Sequence, residues 1–428
     1  MLLVISRPIA ERLDGPCSTR ALRVTWGSVL GLSLLAHLTL ILFTQGAAPD
    51  IHNYLIQAQT VFDHRNVYDV TREYPYPPVW IWLVAGARWL ASASGAPFYM
   101  VVKLPGTLAD FGITFVLYEL ARARHGVSYR SALIPALYAL NPVVLLIGAG
   151  HGQFDALVIF FLALAIYLKR GCGLALGVAI ALKGFPLLFL PYFLQRSDRS
   201  QRPRLFALAL LPLVVSMLVY TLLFGFTAGM IGNVIGYRST VDFGWQALLL
   251  DVPSVASSVA THPVLLSVFS ACSFLAEGAI IACAVVLPTR WFPSQPAQAV
   301  ALVFAAWFAT TMTMSAQYTL WILPFLCLAL PLEAVAFSVC ALVGILAYYA
   351  QPLVRGALLP LPQALLTALS RPGVRLLGVV GLIVCSVLVF LKLRTVREPV
   401  AEGDAPPPHG ETPRNAFPTL AWKRTSRI

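Results

Sequence analysis

Apolar runs of about 17–25 residues, separated by short polar or proline-bearing segments, recur from residue 25 to residue 394, and a run of that length can cross a hydrocarbon core of about 30 Å. They predict spans at 25–45, 99–121, 131–149, 154–169, 205–226, 263–288, 297–314, 319–331, 334–350 and 374–394. A further apolar run, 171–195, holds Lys183 in its middle, followed by Gly184 and Pro186. One straight helix would bury that ammonium at a cost of about 2.5–3.5 kcal/mol. Two half-length helices meeting near Lys183 are therefore expected, a break that exposes backbone and charge to a cavity. The pattern predicts an all-α polytopic membrane protein with about 12 transmembrane crossings, some of them half-length.

The stretch between the first two spans differs. Residues 50–64 place Ile51, Tyr54, Leu55, Ala58, Val61 and Phe62 on one helical face, the mark of an amphipathic helix lying along a membrane surface. YPYPP (74–78) then forces extended backbone. The following VWIWLVAGARWLA, with Trp80, Trp82, Trp89 and Arg88, reads as an interfacial or re-entrant helix over 79–93. A second long polar-bearing loop is expected over 227–262, and no internal repeat is present.

Charge orients this map. Arg7, Arg12, Arg20 and Arg23 precede the first span, and RARHGVSYR (122–130) and the arginines at 196–204 fall in short loops. Basic loops stay cytoplasmic, so residues 1–24 and the Pro-rich, charged tail 395–428 are assigned inside, the tail as disordered. Residues 46–98 and 227–262 become outer loops of a 25–394 transmembrane domain. The first run is too long, and its basic lead too extended, for a cleaved signal peptide. With 58% hydrophobic and 11% charged residues, the chain is no ordinary soluble domain. Its net charge of +12 reflects the orienting bias and gives no reason to expect nucleic acid. The seven cysteines form no CxxC and no outer-loop pair, so neither a disulfide framework nor a thiolate metal site is indicated.

Only 18 acids are available. Asp50 directly follows the first span, where it could cap the amphipathic helix or serve as a general base at the membrane surface. Lys103, Thr107, Asp110 and Thr114 form one polar stripe along the second span, either glue between helices or the lining of a polar cavity. GAGHGQFD (148–155) brings His151, Gln153 and Asp155 to the outer surface, as helix caps or as the rim of a sugar site. Lys183, Arg238 and Lys103 are the cations open to a phosphate, although Lys183 could simply snorkel. His52, Tyr54, Tyr76, Gln317 and Tyr318 complete the candidate sugar or acceptor contacts. No P-loop, HExxH, GxSxG or metal cluster is present; two loop carboxylates would suffice for a divalent ion, so metal dependence stays open.

Taken in order, APDIHNY (48–54), NVYDVTREYPYPP (66–78), VKLPGTLADFG (102–112), NPVVLLIGAGHGQFDAL (141–157), ALKGFPLLFLP (181–191) and SAQYTLWILPF (315–325) resemble the GT-C superfamily of membrane glycosyltransferases, and most of all bacterial glycosyltransferase family 87. The resemblance implies a GT-C-type bundle in the bacterial plasma membrane with an extracytoplasmic active site. It implies transfer of a hexose, mannose favoured, from a polyprenyl-phosphate-sugar donor to a lipid or glycan acceptor, with inversion and no required cofactor. It assigns Asp50 as catalytic base and Lys183, with Arg238, as ligands of the carrier phosphate. Where many relatives carry a second carboxylate, Asp50 is followed by Ile51 and His52, so no metal requirement carries over. A 12-span secondary transporter or a lipid-linked sugar flippase is the alternative, though transporters of this size usually show repeated halves.

Overall fold

The computed structural model describes residues 18–168, 170–235, 242–250 and 263–397. Arg238, the 1–17 segment, the tail beyond 397 and half of the second outer loop (236–241 and 251–262) lie outside the described residues. Helices make up the fold, with an isolated antiparallel bridge between Phe243 and Met314.

The principal helices are α1 (Thr19–Phe43), α2 (Ala48–Phe62), α3 (Val79–Ser94), α4 (Leu104–His125), α5 (Tyr129–Ala139), α6 (Asp155–Tyr167), α7 (Cys172–Leu182), α8 (Leu190–Arg196), α9 (Arg202–Phe224), α10 (Pro263–Trp291), α11 (Pro296–Thr310), α12 (Thr319–Ala329), α13 (Pro331–Tyr349) and α14 (Pro372–Thr395). They follow the predicted spans closely, and the break at Lys183 is present. There α7 stops, Lys183 turns extended (φ −155°, ψ 132°), and a 3₁₀ turn, Phe185–Phe189, leads into α8.

The expected count of twelve crossings is not reached on length. Seven helical segments among the described residues are long and apolar enough to cross a membrane, while 155–167, 172–182, 296–310 and 316–329 are apolar but short. At 1.5 Å per residue, helices of 11–15 residues extend only about 16–22 Å. Burial explains why that suffices. Every residue of α12 from Thr319 to Leu328 is buried, as are 11 of the 15 residues of α11; these two are packed in protein and need not match the bilayer. Two of the long helices turn apolar side chains outward instead: α1 exposes Leu32, Leu35 and Leu42, and α9 exposes Val214, Leu218 and Leu222.

Close helix contacts use small residues. A Cβ on Gly173 or Gly177 of α7 would stand 2.9 or 2.7 Å from backbone oxygens of α9, the small-xxx-small approach of helices in membranes. At the loop end, α2 packs on α3, burying Ile51, Tyr54, Gln57, Ala58 and Thr60. Of the expected amphipathic face, Ile51, Tyr54 and Ala58 are buried, Leu55 and Val61 half-buried and Phe62 exposed, while the polar Gln57 and Thr60 are buried beside them. α3 itself buries Trp80 and exposes Trp89, and with 16 residues it falls short of a span.

Candidate functional site

The site is organised by the segment between α5 and α6. Asn141 caps a short helix, Pro142–Leu145, its side chain accepting from the Val143 N–H at 3.0 Å. The chain then widens into a π turn, Leu146–His151, ended by Gly152 at φ 92°. Wide turns of this kind cluster at functional sites. Here the glycines are required by space: a Cβ on Gly148 would meet Asp110 Oδ2 at 2.6 Å, and one on Gly150 would meet the Ala357 carbonyl at 2.7 Å.

Asp50 is not the helix cap. The N-cap of α2 is Ala47, with Pro49 in the first turn where its missing N–H costs nothing. The Asp50 carboxylate turns to the π turn, where Oδ2 accepts from His151 Nε2 and from Gln153 Nε2 at 2.8 Å. Partners fix both donors. Tyr54 O–H donates to Gln153 Oε1 at 3.2 Å, which orients the amide with its nitrogen toward Asp50. Tyr349 O–H lies 2.6 Å from His151 Nδ1; with Nδ1 accepting, the Nε2–H points at the carboxylate. His151, Gln153, Tyr54 and Tyr349 are buried, whereas the Asp50 side chain is 36% exposed. Oδ1 makes no hydrogen bond among the described residues. One carboxylate oxygen is held from the protein side and the other is left for a partner.

Asp155, two residues beyond Gln153, faces another way. It opens α6, but its side chain does not cap it. Oδ1 accepts from Lys183 Nζ at 2.8 Å and from the Trp321 indole N–H, and Oδ2 is buried without a hydrogen bond. The Lys183 ammonium lies 4.9–5.5 Å from the ring centres of Tyr76, Phe154, Tyr318 and Trp321, within cation–π range. Trp321 is stacked on Phe185 and Tyr318. Lys183 is therefore ion-paired and caged by aromatic rings. Tyr76 is held in the cage by its own segment, since Tyr68 O–H donates to the Tyr76 carbonyl at 2.7 Å and Tyr74 O–H to the Pro77 carbonyl at 2.6 Å. Burial pushes both phenols well above their ordinary value, so they remain neutral donors.

The other expected residues distribute around these two groups. Lys103 is buried at the start of α4, its Nζ donating to the Thr44 carbonyl (2.8 Å) and hydroxyl (2.7 Å) beneath the Tyr99 ring. Its aliphatic stem runs beside Gly152. Gln317 is buried just before Tyr318. His52 is exposed and makes no hydrogen bond among the described residues, so it stands apart from the Asp50 network. Within the polar stripe of α4, Asp110 acts as glue between helices, Oδ1 accepting from Tyr138 O–H at 2.7 Å and Oδ2 lying 3.4 Å from His37 Nε2, whereas Thr114 bonds back to its own helix and the Thr107 hydroxyl is buried without a hydrogen bond. Among the described residues no three His, Cys, Asp or Glu side chains converge.

Sequence reasoning missed Tyr349, Phe154 and Trp321. Tyr349 resembles any tyrosine at a span end, and only the fold brings it to His151. The model of glycosyltransferase family 87 matches residues 74–316, more than half of the chain; no curated protein matches. The matched stretch contains His151, Gln153, Asp155 and Lys183, while Asp50, Tyr54 and Tyr349 lie outside it. The chain belongs to glycosyltransferase family 87 and is a membrane glycosyltransferase; the transporter and flippase alternatives are set aside.

Proposed function

We propose that this family 87 enzyme moves a hexose, mannose before others, from a polyprenyl-phosphate-sugar donor to a hydroxyl of a lipid or glycan acceptor. The reaction takes place on the extracytoplasmic face of the bacterial plasma membrane, with both chain ends in the cytoplasm. Asp50 is the general base. The acceptor O–H gives its proton to Asp50 Oδ1 while its oxygen bonds to the anomeric carbon. The bond from that carbon to the phosphate oxygen breaks on the opposite side, and its electron pair leaves with the polyprenyl phosphate. The leaving group is already an anion, so a single base suffices, and one in-line displacement inverts the centre.

The observation that carries this reading is the asymmetry of Asp50: buried donors fix Oδ2 while the side chain keeps a third of its surface open. A carboxylate oriented on one side and accessible on the other suits a base that must meet an incoming hydroxyl. Lys183, paired with Asp155, and Lys103, held by Thr44, border the 151–155 segment and are kept as candidate phosphate ligands that would exchange these partners for the donor. Arg238 is retained as a further phosphate ligand. Tyr76, Tyr318, Gln317 and the exposed His52 are assigned to the sugar and acceptor.

The test is transfer of radiolabelled mannose from polyprenyl-phosphate-mannose by membranes containing the protein. Label appearing in a lipid or glycan product, with the anomeric configuration opposite to the donor's, supports the proposal. Transfer from a nucleotide sugar with none from the lipid-linked donor would refute the donor assignment.

A further inference from the structure

Arg355 is a cation that the fold half-buries and leaves unused. It opens the 3₁₀ turn Arg355–Ala357, just past α13. Its Nε is buried without a hydrogen bond, and among the described residues none of its guanidinium nitrogens has a hydrogen-bond or ion-pair partner. A guanidinium presents five N–H donors and no acceptor. Buried charges are normally paired, because removing them from water without compensation is costly. Arg355 thus carries one buried, unsatisfied Nε–H, while its remaining N–H groups make no protein contact among the described residues and stay open to a ligand.

Its position bears on that ligand. The Gly356 carbonyl accepts from the Gln45 and Gly46 N–H groups at 2.9 and 3.1 Å. The next N–H, of Ala47, donates to the His151 carbonyl at 3.0 Å, and Asp50 follows in the first turn of α2. The Ala357 carbonyl oxygen lies only 2.7 Å from where a Cβ on Gly150 would stand. The turn bearing Arg355 is thus stitched to both chain segments that build the Asp50–His151 pair. The other cations near that pair are committed, Lys183 to Asp155 and Lys103 to Thr44. Asp242, a carboxylate from this end of the fold, is engaged with Tyr348.

We infer that Arg355 binds the phosphate of the lipid-linked donor, its planar fork taking two phosphate oxygens at once. The inference rests on the reading of the enzyme as a polyprenyl-phosphate-sugar transferase. It adds a residue that lies outside the stretch matched by the family. Charge that develops on the phosphate as the anomeric bond breaks then meets a preplaced guanidinium.

The experiment is a binding measurement, independent of turnover, on the full-length protein in nanodiscs. Polyprenyl phosphate is titrated into wild type, Arg355→Ala and Arg355→Lys, with polyprenol, phosphatidylglycerol and inorganic phosphate as separate arms. Arg355→Ala is expected to weaken polyprenyl phosphate binding at least tenfold and Arg355→Lys by less, with polyprenol and phosphatidylglycerol binding unchanged in both. Inorganic phosphate is expected to compete in wild type and lose that competition in Arg355→Ala. Should the alanine variant fail to yield folded protein, Arg355→Lys and Arg355→Gln carry the same comparison. Polyprenyl phosphate affinity within twofold of wild type in the variants overturns the assignment. So does an equal loss for phosphatidylglycerol, which would mark a general lipid anchor. A wild type that binds no polyprenyl phosphate overturns the donor reading itself, and the two failures are thereby distinguished.

Discussion

His151 donates to the Asp50 carboxylate across 101 positions of sequence, joining the helix after the first span to the π turn before α6. The same imidazole meets the Tyr349 hydroxyl at the end of α13, so three remote segments fix one carboxylate.

That arrangement makes His151 a positioning residue whose loss lowers turnover more than donor affinity. Replacing His151 with alanine frees Asp50 to rotate, and misplacement of a reacting group by about 1 Å costs on the order of 10²-fold in rate. Tyr349→Phe removes one hydrogen bond, worth about 0.5–1.5 kcal/mol, and should cost roughly tenfold at most. Steady-state transfer kinetics check both: kcat should fall in that order with KM for the lipid donor little changed. A His151→Ala enzyme with full kcat would remove the imidazole from the account.

The Lys183–Asp155 pair predicts a stability effect. Removing one member of a buried ion pair strands the other, at a cost of about 3–5 kcal/mol. Lys183→Met and Asp155→Leu should each lower the melting temperature in detergent more than the double variant does, because the double change leaves no unpaired charge. Additive losses in the double variant would contradict the pairing.

Tyr68 and Tyr74 predict a response to alkali. Their folded values are raised by burial, so they keep their protons after the unfolded chain has lost its own near about pH 10. The unfolded state then binds fewer protons, and stability should fall as pH climbs past about 10 while staying flat below it for these groups. Thermal unfolding of wild type and Tyr68→Phe on either side of that value checks the sign. The phenylalanine variant should lose less stability in alkali than wild type.

Much of this could be read from the chain, and the remainder had physical reasons for staying hidden. Span positions were visible because a membrane helix advertises itself through its own apolar length. The break at Lys183 was visible because an ammonium followed by Gly184 and Pro186 has no good place in one straight helix. His151, Gln153 and Asp155 stood out as polar residues beside an apolar run. Their division of labour did not: that 151 and 153 turn to Asp50 while 155 turns to Lys183 depends on the π turn and on Trp321, 166 positions from Asp155. The same holds for Lys183, which reads as a free cation until Tyr76, Phe154, Tyr318 and Trp321 close around it. Hydropathy along the chain did not separate the seven described segments of full span length from the apolar but shorter α6, α7, α11 and α12.

The most direct test of the central claim is the turnover of Asp50→Asn in a purified enzyme that still binds the carrier. The amide keeps the shape of the side chain but takes up no proton from the acceptor. The account predicts that sugar transfer drops by about 10²–10⁴-fold, the share usual for a general base, while affinity for polyprenyl phosphate stays within a small factor of wild type. Transfer at the wild-type rate by Asp50→Asn would contradict it.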